Sequence, residues 1–210
     1  MCCRYYILPK GVEWDPIREA AESARVMRRF RAAGIPLVTA GEVRPADAVP
    51  ALASDREGGQ RIFPMRWGFR QSAPDQTARP ALLINARFET AAEKPSFREA
   101  WRSHRCAVPA TGYYEWARPE AADRRTPGIK YVIEAPDQPI LWLCGLYRIE
   151  AGLPVFVILT RSPVPDLAPI HDRMPLILPD KLVSAWVDPR VRPESLLDRA
   201  VGVFHAEKAG

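Results

Sequence analysis

The sequence contains no apolar run approaching the length of a membrane-spanning helix, which excludes a helical membrane protein. It has no CxxC pair and no other cysteine spacing that would build a zinc site. Cys2, Cys3, Cys106 and Cys144 are its only cysteines, and the adjacent Cys2 and Cys3 cannot readily close a normal disulfide with each other. Histidine is scarce: His104, His171 and His205 are scattered and form no ligand cluster, so neither a metal nor any other cofactor is expected. The opening MCCRYYILPKGVEWDP lacks the long apolar core and cleavage pattern of a secretory signal. There is no internal repeat, no low-complexity linker and no marked boundary. The expectation is one reduced, cytoplasmic, monomeric domain over residues 1–210.

What is present fits a folded protein. At 210 residues and 47% hydrophobic content, the chain can bury a sizeable core. Thirty basic and 25 acidic residues leave a net charge of +5. That mild excess permits a nucleic-acid partner without demanding one, and suggests one basic groove. Twenty-two prolines, about twice average usage, imply many short segments joined by stiff turns. DPIREAAESARVMRRFRAAG reads as the one long helix, with Asp15 as N-cap, Pro16 at the first position and Gly34 at the stop. SFREAWRSH reads as a shorter helix with a Ser96–Glu99 capping box, and PDKLVSAWVD as a third from near Pro179. RCAVPATGYYEWA, IKYVIEA, ILWLCGLYRIE, LPVFVILTRS and VGVFHAEK read as strands, with Cys106 and Cys144 as small core residues. The predicted class is α+β: a curled, largely antiparallel, barrel-like sheet with a few flanking helices.

Four stretches carry potential chemistry. Cys2, once Met1 is removed, would present an α-amine and a thiol on adjacent carbons. In LLINARFET an extended strand would place Asn85, Arg87 and Glu89 on one face, either as a cleft or as a solvated outer face. In PATGYYEWAR, Glu115 sits between Tyr114 and Trp116, and desolvation there would raise its pKa and suit it to acid–base work. An exposed glutamate on a polar face is the plainer alternative. In APIHDRMPLIL, His171 stands beside Asp172 and Arg173; a lone histidine is more often a structural hydrogen-bonder than a catalyst, but only three histidines exist and the other two lie in plainer contexts.

Together these stretches resemble the SOS-response-associated peptidase domain family, whose members crosslink to abasic sites in single-stranded DNA. The resemblance rests on MCCR, on PMRWG at 64–68, on NARFET at 85–90, on EKPSFREAWRSHRCAVPATGYYEW at 93–116 and on LTRSPVPDLAPIHDRMPLIL at 159–178. It implies that Cys2, exposed by loss of Met1, condenses through its amine with the ring-opened sugar aldehyde. The thiol then closes a thiazolidine. An α-amine titrating near ~7.7–8.0 is partly neutral at physiological pH, unlike a lysine near ~10.4. The resemblance further implies that Asn85 holds the N-terminus or the sugar, that Glu115 acts as acid–base, and that His171 moves a proton during sugar opening. Arg4, Arg87, Arg161 and Arg173 would meet phosphates, with Arg4 also favouring the thiolate. Trp67 and Trp116 would contact bases.

Two places depart from the family pattern. Cys3 stands where glycine is usual, and FRQSAPDQTARPA replaces an apolar-Pro-Ser-Trp stretch after Trp67–Gly68. Two other functional classes remain open to this sequence. One is a cysteine peptidase using Cys2 as thiolate with His171 or Glu115, acting on other chains or only on its own Met1. The other is a DNA-binding module without covalent chemistry.

Overall fold

The computed structural model describes residues 3–8, 13–55, 57–71, 81–117 and 128–209. Cys2 and most of the FRQSAPDQTARPA segment lie outside the described residues. The elements in chain order are β1 (Arg4–Ile7), α1 (Trp14–Ser23), α2 (Met27–Ala32), β2 (Gly41–Val43), β3 (Ala48–Ser54), β4 (Gln60–Trp67) and β5 (Phe69–Arg70). Then come β6 (Leu82–Leu83), β7 (Asn85–Arg87), α3 (Phe88–Ala91), α4 (Arg98–Ser103), β8 (Arg105–Ala110), β9 (Gly112–Ala117) and β10 (Ile129–Glu134). The chain continues through β11 (Leu141–Glu150), β12 (Leu153–Arg161), β13 (Met174–Pro175), β14 (Ile177–Leu178), α5 (Asp180–Val187) and β15 (His205–Lys208).

Strands β12, β4, β3, β8 and β11 pair in that order, and β11 pairs back to β12, so the sheet closes into a barrel. Closure leaves no free edge where the ring is complete. Most pairs are antiparallel; β12 is parallel to β4 and to β7. This is the α+β, barrel-like class expected from the sequence. The apolar runs of β8, β11 and β12 are buried on both faces, inside the barrel and beneath helices and loops, which is why they read as continuous rather than alternating. Arg105 is buried there at 2% exposure. Its guanidinium donates to the carbonyls of Trp101, Trp186, Asp188 and Val191, so the buried charge is satisfied by backbone that it ties together.

A second sheet, ordered β15-β10-β9-β1-β2, is antiparallel throughout. Only Thr111 separates β8 in the barrel from β9 in this sheet, so the chain crosses the seam between the two in one step. Gly112 is required at the crossing: a Cβ there would meet the Tyr6 hydroxyl oxygen at 2.6 Å and the Ile133 carbonyl oxygen at 2.8 Å. One continuous buried cluster runs from Tyr5, Tyr113 and Ile133 of this sheet into Leu143, Phe156 and Val157 of the barrel.

Four local expectations are corrected. The long helix is two, broken at Ala24, whose ψ of 135° is extended. The break lets the two halves serve different cores: Trp14 joins the main cluster, while Met27 and Phe30 pack with Ala48. Glu13, not Asp15, precedes the first helix, which puts Pro16 at its third position and not its first, whereas Gly34 stops the second at φ +67° as expected. The Ser96–Glu99 capping box does not form; Phe97 precedes α4 and no side chain caps it. The NARFET strand ends at Arg87, so Glu89 lies on α3 and does not share a strand face with Asn85 and Arg87.

Candidate active site at the seam

The register of β1 against β9 sets Arg4 opposite Tyr114 and Tyr5 opposite Tyr113, so the next step sets Cys3 beside Glu115. Alternation sends Tyr113 and Glu115 inward, and Tyr114 and Trp116 outward. Glu115 is 4% exposed, and its Oε1 accepts the backbone N–H of Trp116 at 3.2 Å. A buried carboxylate is rare unless it is held for a purpose. The half-buried Cys3 thiol has its pKa raised, first by burial and then by the negative charge of Glu115. Cys106 and Cys144 are free thiols in the core, as expected, with pKa values pushed up by full burial.

Asn85 reaches the seam from the barrel side. β7 pairs with β12, with Asn85 opposite Ile158 and Arg87 opposite Thr160. The carbonyl of the preceding Ile84 accepts the indole N–H of Trp67 at 2.9 Å. The Trp67 ring in turn lies 5.3 Å from Tyr5 and 6.1 Å from Phe156. Trp67 therefore pins β7, β12 and β1 together. It is 0% exposed, which corrects its assignment as a base contact: a ring with no open face has nothing to offer a stacking partner.

His171 lies in the loop after the 3-10 turn Pro165–Leu167, its side chain 27% exposed. Its Nδ1 accepts the Arg173 backbone N–H at 3.0 Å, which in the neutral ring puts the proton on Nε2. Asp172 Oδ1 lies 2.7 Å from the same nitrogen. Both contacts converge on one ring nitrogen, so they hold the imidazole in place within the loop. The loop is clamped by Arg173, which forks onto both Glu89 oxygens at 2.9 and 2.7 Å and donates to the Thr160 carbonyl at 2.6 Å. Arg173 thus anchors the His171 loop to β12 and α3, and its charge is already matched by Glu89. Arg161 is also committed, donating to the Val201 carbonyl at 2.7 Å, and desolvation lowers its pKa. Arg87 is exposed beside Asn85.

The outer face of the second sheet carries a different pattern. Tyr6, Tyr114 and Trp116 form a row with ring centroids 5.1 and 6.5 Å apart. Arg4 lies 5.4 Å from the Trp116 ring centre, and Lys130 lies 3.7 Å from that of Tyr114. Arg4 also pairs with Glu42 at 3.0 Å. The sequence reading found Arg4 and Trp116 but missed Lys130 and the tyrosines. Their signal was the alternation of β9, legible only once its neighbours β1 and β10 were known.

The seam thus buries polar atoms in an otherwise apolar interior: the Tyr5 and Tyr113 hydroxyls, Asn85 Oδ1, Glu115 Oε2 and the Nε atoms of Arg161 and Arg173. Tyr5 and Tyr113 were not singled out from sequence, because tyrosines in apolar strands read as core. Buried polar atoms of this kind, several of them on β1 and β9, make the seam the candidate functional site. Among the described residues no group of histidine, cysteine or carboxylate side chains could hold a metal ion.

Comparison with known proteins assigns the family. Residues 1–208 match the model of the family described as SOS response associated peptidase (SRAP), and the chain belongs to it. Abasic site processing protein YobE of Bacillus subtilis (strain 168) is 34% identical over 153 residues, which cover 70% of this chain and 68% of that one. Abasic site processing protein YedK of Escherichia coli (strain K12) is 33% identical over 139 residues, covering 65% and 59%. A crystal structure of a protein from Bacteroides thetaiotaomicron shares the fold at 23% identity, with a TM-score of 0.73 over 99% of this chain and 91% of that one.

Proposed function

We propose that this protein recognises abasic sites in single-stranded DNA and captures them covalently through Cys2, after Met1 has been removed. The observation that carries the reading is the buried carboxylate of Glu115, held next to the N-terminal strand and in line with Cys3. Membership of the SRAP family and the names of the relatives support the substrate.

The chemistry proceeds by a condensation and then an addition. The neutral α-amine of Cys2 attacks the C1′ aldehyde of the opened sugar, and the carbinolamine loses water to give an imine. The thiolate adds to the imine carbon, the nitrogen takes a proton, and a five-membered thiazolidine closes. The second step is intramolecular, since both nucleophiles sit on one residue. Glu115 delivers the proton that carries off water and receives one from the incoming amine. His171 moves the proton needed to open the sugar ring, and the contacts that orient its Nδ1 support that placement. Asn85 fixes the N-terminus or the sugar by hydrogen bonds. Arg87 is the phosphate contact best supported by exposure, and Trp116 the base contact. The peptidase of the family's description fits removal of Met1 at this same site.

The test is intact mass after mixing protein lacking Met1 with an oligonucleotide carrying one abasic site. The expected product is a one-to-one covalent adduct formed without reductant, absent with undamaged DNA and absent in Cys2→Ala. An adduct that persists in Cys2→Ala overturns the assignment.

A further inference from the structure

Away from the seam, the turn between α1 and α2 faces β4 across a groove of about 1030 Å³. Arg25, Arg28, Arg29 and Arg61 rim it, Ile62 and Phe63 contribute to its floor, and among the described residues no aspartate or glutamate lines it. Arg61 is offset by Asp55 at 2.7 Å, and Arg29 donates to the Gly152 carbonyl at 2.8 Å. Arg25 and Arg28 are exposed and make no ion pair among the described residues. Phe63, Val26 and Arg29 also line an adjoining cavity of about 590 Å³, whose walls include Met65, Tyr147 and Ile149. Ile149 is 60% exposed, among the largest exposures of any big apolar side chain described.

Among the described residues no strand pairs with one edge of the strand between these two spaces, although α1 and α2 pack against that strand. β4 pairs with β3 along its whole length, from Ala48 opposite Arg66 to Ser54 opposite Gln60. It pairs with β12 only at Arg66 and Trp67. Among the described residues, no strand covers the other edge of Gln60–Met65. An open edge recruits an extended chain through main-chain hydrogen bonds, and the pockets along it choose the side chains.

We propose that this groove is a docking site for an extended acidic peptide of a partner protein. The peptide adds a strand to the β4 edge, sets carboxylates against Arg25 and Arg28, and places an apolar anchor in the cavity of Met65, Tyr147 and Ile149. The apolar cavity and the open backbone edge favour a peptide over a nucleic acid, whose phosphates would use the arginines but neither of these features. The site shares none of its named residues with the seam, so this inference does not depend on the crosslinking reading.

The test is fluorescence anisotropy with a labelled peptide, Gly-Asp-Glu-Asp-Glu-Val-Thr-Val-Phe-Gly, on the full chain. The controls are a version with lysine at the acidic positions, a version N-methylated at alternate residues, and an undamaged ten-nucleotide oligo-dT. Saturable binding of the acidic peptide is expected, weakened about tenfold or more by the double variant Arg25→Glu/Arg28→Glu and separately by Ile149→Asp. The lysine and N-methyl versions should not bind, and both variants should melt like the parent because all three positions are exposed. Absence of saturable binding, or equal binding by the parent and both variants, overturns the site. Binding indifferent to N-methylation overturns the strand-addition geometry. Loss of oligo-dT affinity in the arginine variant, with peptide binding unchanged, overturns the peptide reading in favour of a nucleic-acid path.

Discussion

Replacing Arg173 with alanine removes the clamp that holds the His171 loop to the barrel. Three charge-assisted hydrogen bonds are lost, two to Glu89 and one to the Thr160 carbonyl. The Arg173 side chain is 12% exposed, but that of Glu89 is 45% exposed, so water screens the pair and rehydrates the carboxylate. A fully exposed pair contributes roughly 0.2–1 kcal/mol and a hydrogen bond to a charged group about 1.5–3 kcal/mol. With the Glu89 fork partly screened and the carbonyl bond shielded, the clamp contributes about 2 kcal/mol in all, which for a chain of this size lowers Tm by roughly 4–8 °C. The pH dependence follows from Glu89. Burial pushes its carboxyl up, but the Arg173 fork outweighs this and its pKa is lowered in the folded state. A depressed carboxyl pKa contributes stability above the unfolded value near ~4.3 and loses it as pH falls through the lower folded value. The gap in Tm between parent and Arg173→Ala should therefore be full at pH 7 and shrink below about pH 4. Calorimetry across pH, with Arg173→Lys restoring only part of the loss, measures it. The crosslinking rate should fall as well, since His171 loses its anchor. A Tm at pH 7 within a degree of the parent, or a gap that widens in acid, refutes the reasoning.

Two tryptophans should separate cleanly. Trp67→Ala should cost about 3–5 kcal/mol of stability by emptying a core site, read as a lower denaturation midpoint. Trp116→Ala should leave the midpoint near the parent but weaken single-stranded DNA binding by about 1–3 kcal/mol in a filter or anisotropy titration. In a Cys2→Ala background, maleimide should label Cys3 at pH 7 more slowly than a free peptide thiol, and Glu115→Gln should speed the labelling by removing the charge that raises the thiol pKa.

Strands β8 to β12 were legible because β-branched and aromatic runs punctuated by Gly and Pro admit little else, whereas β1 to β4 were not singled out. The break at Ala24 was not legible: Ala24-Arg25 carries no breaker, and what ends α1 is the demand of a second small core around Phe30 and Ala48. NARFET looked like one strand because alternation is weak evidence over six residues; β7 pairs with β12 for only three before α3 begins. Trp67 was expected to contact bases, yet it is the pin between barrel and seam. Glu115 and His171 were found by their neighbours in sequence. Tyr5 and Tyr113 were not, because their membership in a polar cluster exists only after the sheets meet.

The central claim is that both the amine and the thiol of Cys2 take part. Cys2→Ser keeps the amine and removes the thiol, so it should form only an imine with abasic DNA, seen by intact mass when borohydride is present and absent without it. The parent should give a stable adduct in both conditions. An adduct of Cys2→Ser that survives without borohydride as fully as that of the parent would contradict the account.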